Sequence, residues 1–174
     1  MKIPPRGFTL LELLVVLGIV GVLAGVVVLN FVGADRERHL QTEAVRLATL
    51  VELARTEATM RNARMGLFVD DAEYAFATFD PETGDWLRPE EGPFRPRTAP
   101  EGVSFAAAAE TQELPARPEP GRARRALPDI LIFASGEQTP FTIEVIPAWD
   151  STPWLVRSDG IQRTVATRAG EDAA

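Results

Sequence analysis

Cysteine is absent from the 174 residues, and histidine occurs once. The first absence excludes disulfides, thiolate nucleophiles and Cys-based zinc sites. The second argues against His-centred catalysis and against a multi-His metal site. An excess of positive charge is also missing. The 18 basic side chains face 25 acidic ones, a net charge of −7. That sign does not suit a protein that binds nucleic acid by neutralising phosphates. Four serines and the lone His39 offer no triad. The expectation is therefore a protein that is not an enzyme, with no catalytic residues, no cofactor, no metal and no nucleic-acid partner. The length allows one ordinary domain with an appendage.

Charge is missing again from Leu13 to Ala34, a run of 22 residues whose one clearly polar side chain is Asn30. As a helix it would reach about 33 Å, against about 30 Å for a hydrocarbon core. The leader Met1-Lys2-Ile3-Pro4-Pro5-Arg6-Gly7 is basic. Lys2 and Arg6 favour keeping that end in the cytoplasm, which sends the chain after Ala34 to the far side. A cleaved secretory signal is the simpler alternative, with Leu23-Ala24-Gly25 as its cleavage site. Two features oppose it. The apolar cores of such signals run about 7–15 residues, and here a carboxylate, Glu12, stands at the start of the run.

The string Arg6-Gly7-Phe8-Thr9-Leu10-Leu11-Glu12-Leu13 resembles the processing site of type IV prepilins and type II secretion pseudopilins. The resemblance implies cleavage by an inner-membrane prepilin peptidase between Gly7 and Phe8, then N-methylation of Phe8. It implies that Glu12 pairs with the terminal ammonium of Phe8 on an adjacent subunit. Burying two charges is costly unless they meet, so such pairing rewards one register. Glu12 also lies one turn from the start of the expected helix, where free amides and the dipole favour an anion, so capping its own helix is the plainer role. Gly18, Gly21 and Gly25 share a face, and the GxxxG spacing of the last two suits close helix packing in lipid.

Proline is missing between Arg6 and Asp80, so nothing forces a break, and one helix from Phe8 to about Arg64 would be about 85 Å long. Leu40, Ala44, Leu47, Val51, Ala54 and Ala58 form an apolar stripe, which Leu50 and Leu53 are expected to widen. Gly66 is expected at the helix C′ position. Beyond it Tyr74 to Phe79 alternate as a strand. The segment Asp80-Pro81-Glu82-Thr83-Gly84-Asp85 reads as a plain turn, since calcium ligation would need more regular ligand spacing, and Trp86-Leu87 starts a return strand. Strands are also expected at Ile130–Phe133 and Phe141–Val145. A hairpin of Trp154–Arg157 with Ile161–Val165 is expected around Ser158-Asp159-Gly160.

Residues 88–128 hold eight of the 14 prolines and read as a solvent-facing loop region, with a strand allowed at Val103–Ala106. The basic cluster Arg122 to Arg125 reads as part of that solvated loop, and Arg168 to Ala174 as a fraying tail.

Two internal strings narrow the resemblance. Leu53-Ala54-Arg55-Thr56-Glu57-Ala58 with Arg61-Asn62 resembles the helix end of the pseudopilin H and FimT group. Ile132-Phe133-Ala134-Ser135-Gly136-Glu137-Gln138-Thr139-Pro140-Phe141 resembles the late strand-turn-strand of pseudopilin H. The implied fold is α+β and pilin-like: a long N-terminal helix, transmembrane then amphipathic, laid on antiparallel β-sheet. The expected organisation is leader 1–7, transmembrane half-helix 8–34 and periplasmic domain 35–174. The implied function is a minor pseudopilin at the tip of a type II secretion pseudopilus, partnered by other pseudopilins, the prepilin peptidase and the inner membrane. The alternative is a minor type IV pilin of the FimT kind, in pilus assembly or DNA uptake.

Overall fold

The computed structural model describes residues 10–109 and 127–171, with the side chains of 24–34 and 109 left out. Two units are distinguished, Met1–His39 and Leu40–Ala174. Helix α1 (Leu10–Arg61) comes first. Strands β1 (Met65–Asp70), β2 (Glu73–Asp80), β3 (Asp85–Leu87), β4 (Arg97–Thr98) and β5 (Val103–Ala109) follow, then β6 (Ile130–Ile132), β7 (Phe141–Pro147), β8 (Trp154–Ser158) and β9 (Val165–Arg168).

The strands make two antiparallel sheets. One has the order β3-β2-β1-β6. On the outer side of β2, β3 pairs near Asp80 and β4 pairs at Glu73 and Tyr74. The other has the order β5-β7-β8-β9. Along β7 the alternation expected of a half-buried strand is kept: Phe141, Ile143, Val145 and Pro147 are buried, Thr142, Glu144 and Ile146 less so. In the second unit the six stripe positions of the helix, Leu40 to Ala58, are all fully buried. They join Leu67, Phe76, Phe105, Ile130, Ile143 and Val156 from both sheets in one core. The α+β architecture is the one expected.

Several local expectations are corrected. The helix ends at Arg61 with Asn62 at C′, in the left-handed region at φ 49°. The Ala63 N–H donates to Ala58 O at 3.0 Å, and the Asn62 N–H to Thr59 O at 3.3 Å. That pair of bonds is a Schellman closure with asparagine in the glycine position. Gly66, expected at C′, sits inside β1 because a new strand begins three residues after the cap. A Cβ there would lie 2.6 Å from Pro128 and 2.9 Å from the Trp86 ring, so close packing demands this glycine. Strand β1 itself was not expected. Within 88–128 the strand allowed at Val103–Ala106 is present and longer, as β5, and the short β4 was not expected; residues 110–126, with Arg122 to Arg125, are outside the described residues.

The β8–β9 hairpin is real, but its return strand starts at Val165, with Trp154 opposite Arg168. Ile161 to Thr164 form a loop instead of a strand. Arg168, expected in the fraying tail, is the last residue of β9, and the Ala169 N–H still bonds Pro153 O at 2.9 Å.

Candidate assembly site

The expected processing residues Gly7 and Phe8 lie outside the described residues. Glu12 occupies the first turn of α1 and is exposed. Around it, Leu10, Leu11, Val16, Leu17, Val20 and Leu23 stand exposed on every side of the helix. A Cβ added at Gly18 or Gly21 would meet nothing within 4 Å, so no described contact in this chain requires glycine there. Gly25 falls among the side chains that are not described. Among the described residues no helix is long and apolar enough to cross a membrane. The second half of the expected span, 24–34, lies outside that description.

The two internal strings that resemble the pseudopilin H group meet in space. The side chain of Arg55 donates from Nε to Gly136 O, from Nη1 to Gln162 O and from Nη2 to Ile161 O, each at 2.8 Å. Its Nη1 also faces Glu52 Oε1 at 3.2 Å. That same carboxylate oxygen accepts the Thr164 N–H at 2.8 Å. One planar guanidinium thus joins the helix to the β6–β7 turn and to the β8–β9 loop, a task suited to its rigid fork of donors. Gly136 has φ +85°, which an L side chain rarely adopts. Burial alone would raise the Glu52 carboxyl. The backbone and hydroxyl of Thr164, then Arg55, outweigh it and hold the group below its ordinary value.

The loop is fixed from its other side as well. Asp159 Oδ1 accepts the N–H groups of Ile161 and Gln162 at 2.9 and 2.7 Å, which holds its carboxyl low. The Gln138 N–H donates to Gly160 O at 2.9 Å, and the Gln138 amide reaches Ser158 Oγ and Thr164 Oγ1. These bonds are why Ile161 to Thr164 leave the strand pattern.

On the side of α1 away from the core lies an uncharged stripe: Val45, Thr49, Leu53, Thr56 and Met60, all exposed. On a helix of 3.6 residues per turn they span an arc of about 80°, centred opposite the buried stripe. Leu53, expected to widen the buried face, belongs here and is 42% exposed. The hydroxyls of Thr49 and Thr56 turn back to Val45 O and Glu52 O at 2.8 and 3.0 Å. The spacing 4, 4, 3, 4 is legible in the sequence once threonine is counted with the apolar residues; treating it as polar hides the stripe.

Elsewhere, the Glu43 carboxylate is 3% exposed. It accepts the Tyr74 hydroxyl at 2.9 Å and pairs with Arg46. Burial, then the charge of Glu43, pushes the Tyr74 phenol well above its ordinary value. The Asp80–Asp85 segment is a turn built on Asp80, whose carboxylate takes the Glu82 N–H and the Thr83 hydroxyl. Among the described residues no group of three or more His, Asp or Glu side chains could hold a metal ion. His39 faces Asp35 at 4.0 Å on the helix surface, an ordinary exposed pair.

Residues 43–168 match the family described as Type II transport protein GspH, and residues 5–28 match the Prokaryotic N-terminal methylation motif. The chain is 33% identical over 144 residues to the Type II secretion system protein H of Pseudomonas aeruginosa, which takes in 80% of this chain and 82% of that protein. It is 53% identical over 64 residues to the pilin-like protein PilA1 of Thermus thermophilus, 37% of this chain and 40% of that protein. The solved structure of the minor pseudopilin EpsH from the Type 2 Secretion System of Vibrio cholerae is similar with a TM-score of 0.59 at 21% identity. That match covers 76% of this chain and 99% of the other. It is a likeness of fold, and the fold is pilin-like.

Proposed function

The chain belongs to the GspH family of type II transport proteins, and from that membership we propose that it works as a minor pseudopilin of a type II protein secretion system. In this reading it is cut between Gly7 and Phe8 by the prepilin peptidase, methylated on Phe8, and held in the inner membrane by residues 8–34. Its domain 35–174 faces the periplasm. It then joins the tip of a short pseudopilus that helps drive folded proteins across the outer membrane. Its chemistry is assembly.

The observation that carries the reading is the pairing, on one chain, of a methylation motif at 5–28 with a GspH match at 43–168. The exposed apolar start of α1 supports the anchoring step, since such a surface calls for lipid or neighbouring helices in place of water. Glu12 is assigned to the ammonium of an adjacent subunit's Phe8, as the resemblance of the processing string implies, since two buried charges that meet offset each other's desolvation. Gly18, Gly21 and Gly25 are assigned to helix packing between subunits, a use supported by the empty space around the first two.

Mass spectrometry of the purified protein tests the processing step. A chain beginning at methylated Phe8 is expected, and Gly7→Glu should leave the leader uncut. A chain beginning near Val26 would establish a conventional signal peptide and remove the membrane stem. The 64-residue match to a pilin-like protein favours a second reading, a minor type IV pilin of the FimT kind. The two readings differ in what deletion abolishes: export of folded proteins in the first, pilus assembly or DNA uptake in the second.

A further inference from the structure

Strand β5 changes character halfway along. Val103 and Phe105 are buried in the core, whereas Ala106, Ala107 and Ala108 are exposed. Alanine is a poor strand former, so neither propensity nor core packing explains why the strand continues through these residues. Pairing with β7 continues it, in register as far as Ala109 opposite Phe141. The other side of β5 is covered only at its start, where the Phe105 N–H points away from β7 and donates to Asp71 O at 3.0 Å. The two sides of an antiparallel ladder alternate. Ala106 and Ala108 therefore bond β7, and the N–H and C=O of Ala107 point outward. No described residue bonds those two groups. The edge strand β6 differs, since the Thr139 N–H returns to Leu131 O at 2.9 Å and Gln138 bridges to Ile132. Natural edges are guarded by lysine, proline, a bulge or a cover. Ala106-Ala107-Ala108-Ala109 carries neither charge nor proline.

We propose that the edge of β5 at Ala107 is a strand-addition site for an extended, basic segment of another protein. This site is independent of the assembly reading. The occupant follows from the chemistry of the edge. An outward N–H and C=O on one residue of a strand are both satisfied by a second extended chain laid alongside. The small side chains of Ala106 to Ala108 leave the side chains of that chain unobstructed. Its charge follows from the flanks. Asp71, whose carbonyl already holds Phe105, is exposed at the start of the edge, and the exposed Glu144 stands opposite Ala106. An added strand would lie about 10 Å from β7, two strand spacings, a gap that a lysine closes across alanine towards Glu144.

The test uses the full chain in detergent micelles. Its probe is an acetylated, amidated octapeptide of alternating valine and lysine. Without peptide, hydrogen exchange at the Ala107 amide should be at least tenfold faster than at Ala106 and Ala108. Slow exchange at all three would mean that the edge is already taken and would overturn the proposal. Saturating peptide should slow the Ala107 amide about tenfold. The dissociation constant, read from the anisotropy of labelled peptide, should rise about tenfold on Ala107→Pro, which removes only the outward donor and which an edge strand tolerates. Ala107→Thr keeps the donor and should keep the affinity. If Ala107→Pro lowers the melting temperature, a peptide N-methylated at every second residue puts the same question to the parent chain. Equal affinity of the methylated and unmethylated peptides would overturn strand addition. Glu144→Lys should weaken the lysine peptide about tenfold and favour its glutamate counterpart; an unchanged preference would overturn the basic character of the occupant. Absence of peptide binding would overturn the site while leaving the assembly reading, tested by processing and by secretion, in place.

Discussion

Tyr74 is the chain's one tyrosine, so its ionisation can be read directly from absorbance. Its hydroxyl donates to the buried Glu43, and its ring meets Phe105 edge-on at 5.2 Å. Burial and the facing carboxylate both disfavour a phenolate. The folded phenol therefore titrates above the unfolded one. The stability this contributes is whole below the ordinary value near 10 and is lost as pH rises towards the folded value. At about pH 11 the folded chain should show no tyrosinate band, with the band appearing on denaturation; a band before unfolding would contradict the pairing. Removing the carboxylate leaves Tyr74 and Arg46 without their acceptor. Glu43→Ala should cost about 2–4 kcal/mol in denaturant titrations, with Tyr74→Phe costing about 1 kcal/mol. Nothing in local sequence marks Glu43 as buried. It sits on the charged later half of α1, and its partner lies 31 positions away.

At the level of elements, the buried stripe of α1 was legible because helical period and apolar residues coincide from Leu40 to Ala58. The helix end was misread for a definite reason: glycine is the common C′ residue, but here asparagine accepts the left-handed conformation and the glycine is needed for Pro128. Asn62→Gly should therefore leave stability nearly unchanged, while Asn62→Val should cost about 1–2 kcal/mol. Thermal melts of the pair would check this, and equal losses would argue against the cap. The β8–β9 loop was misread as strand because its hydrogen-bond partners come from Arg55, more than 100 residues earlier. Asp159 and Glu52 both hold depressed carboxyls. Their contribution is present above the ordinary carboxylate range and is lost as pH falls through the depressed values. Hydrogen exchange at Ile161, Gln162 and Thr164 should thus accelerate in acid relative to the β7 amides. Uniform exchange would contradict the local clamp.

Over the whole molecule, charge and hydropathy divide the labour. From Asp35 to Ala174 there are 16 basic and 24 acidic side chains, a net charge of −8, while the stem before it is almost uncharged. An acidic domain should repel duplex DNA over most of its surface. No mobility shift of DNA is expected at physiological salt; a salt-sensitive shift would favour the type IV pilin reading. On the proposed anchoring, Glu12→Leu should preserve membrane insertion, since it removes a carboxylate from the apolar segment, yet weaken cross-linking to companion pseudopilins. Unchanged cross-linking with normal secretion would reduce Glu12 to a helix cap.

Deletion of the gene separates secretion from uptake most directly, with exoproteins measured in periplasmic and culture fractions and transformation frequency scored in the same strain. The expected result is exoproteins trapped in the periplasm and transformation intact, both restored by the wild-type gene. Normal export with lost transformation would contradict a role in type II secretion and move the protein to the pilus.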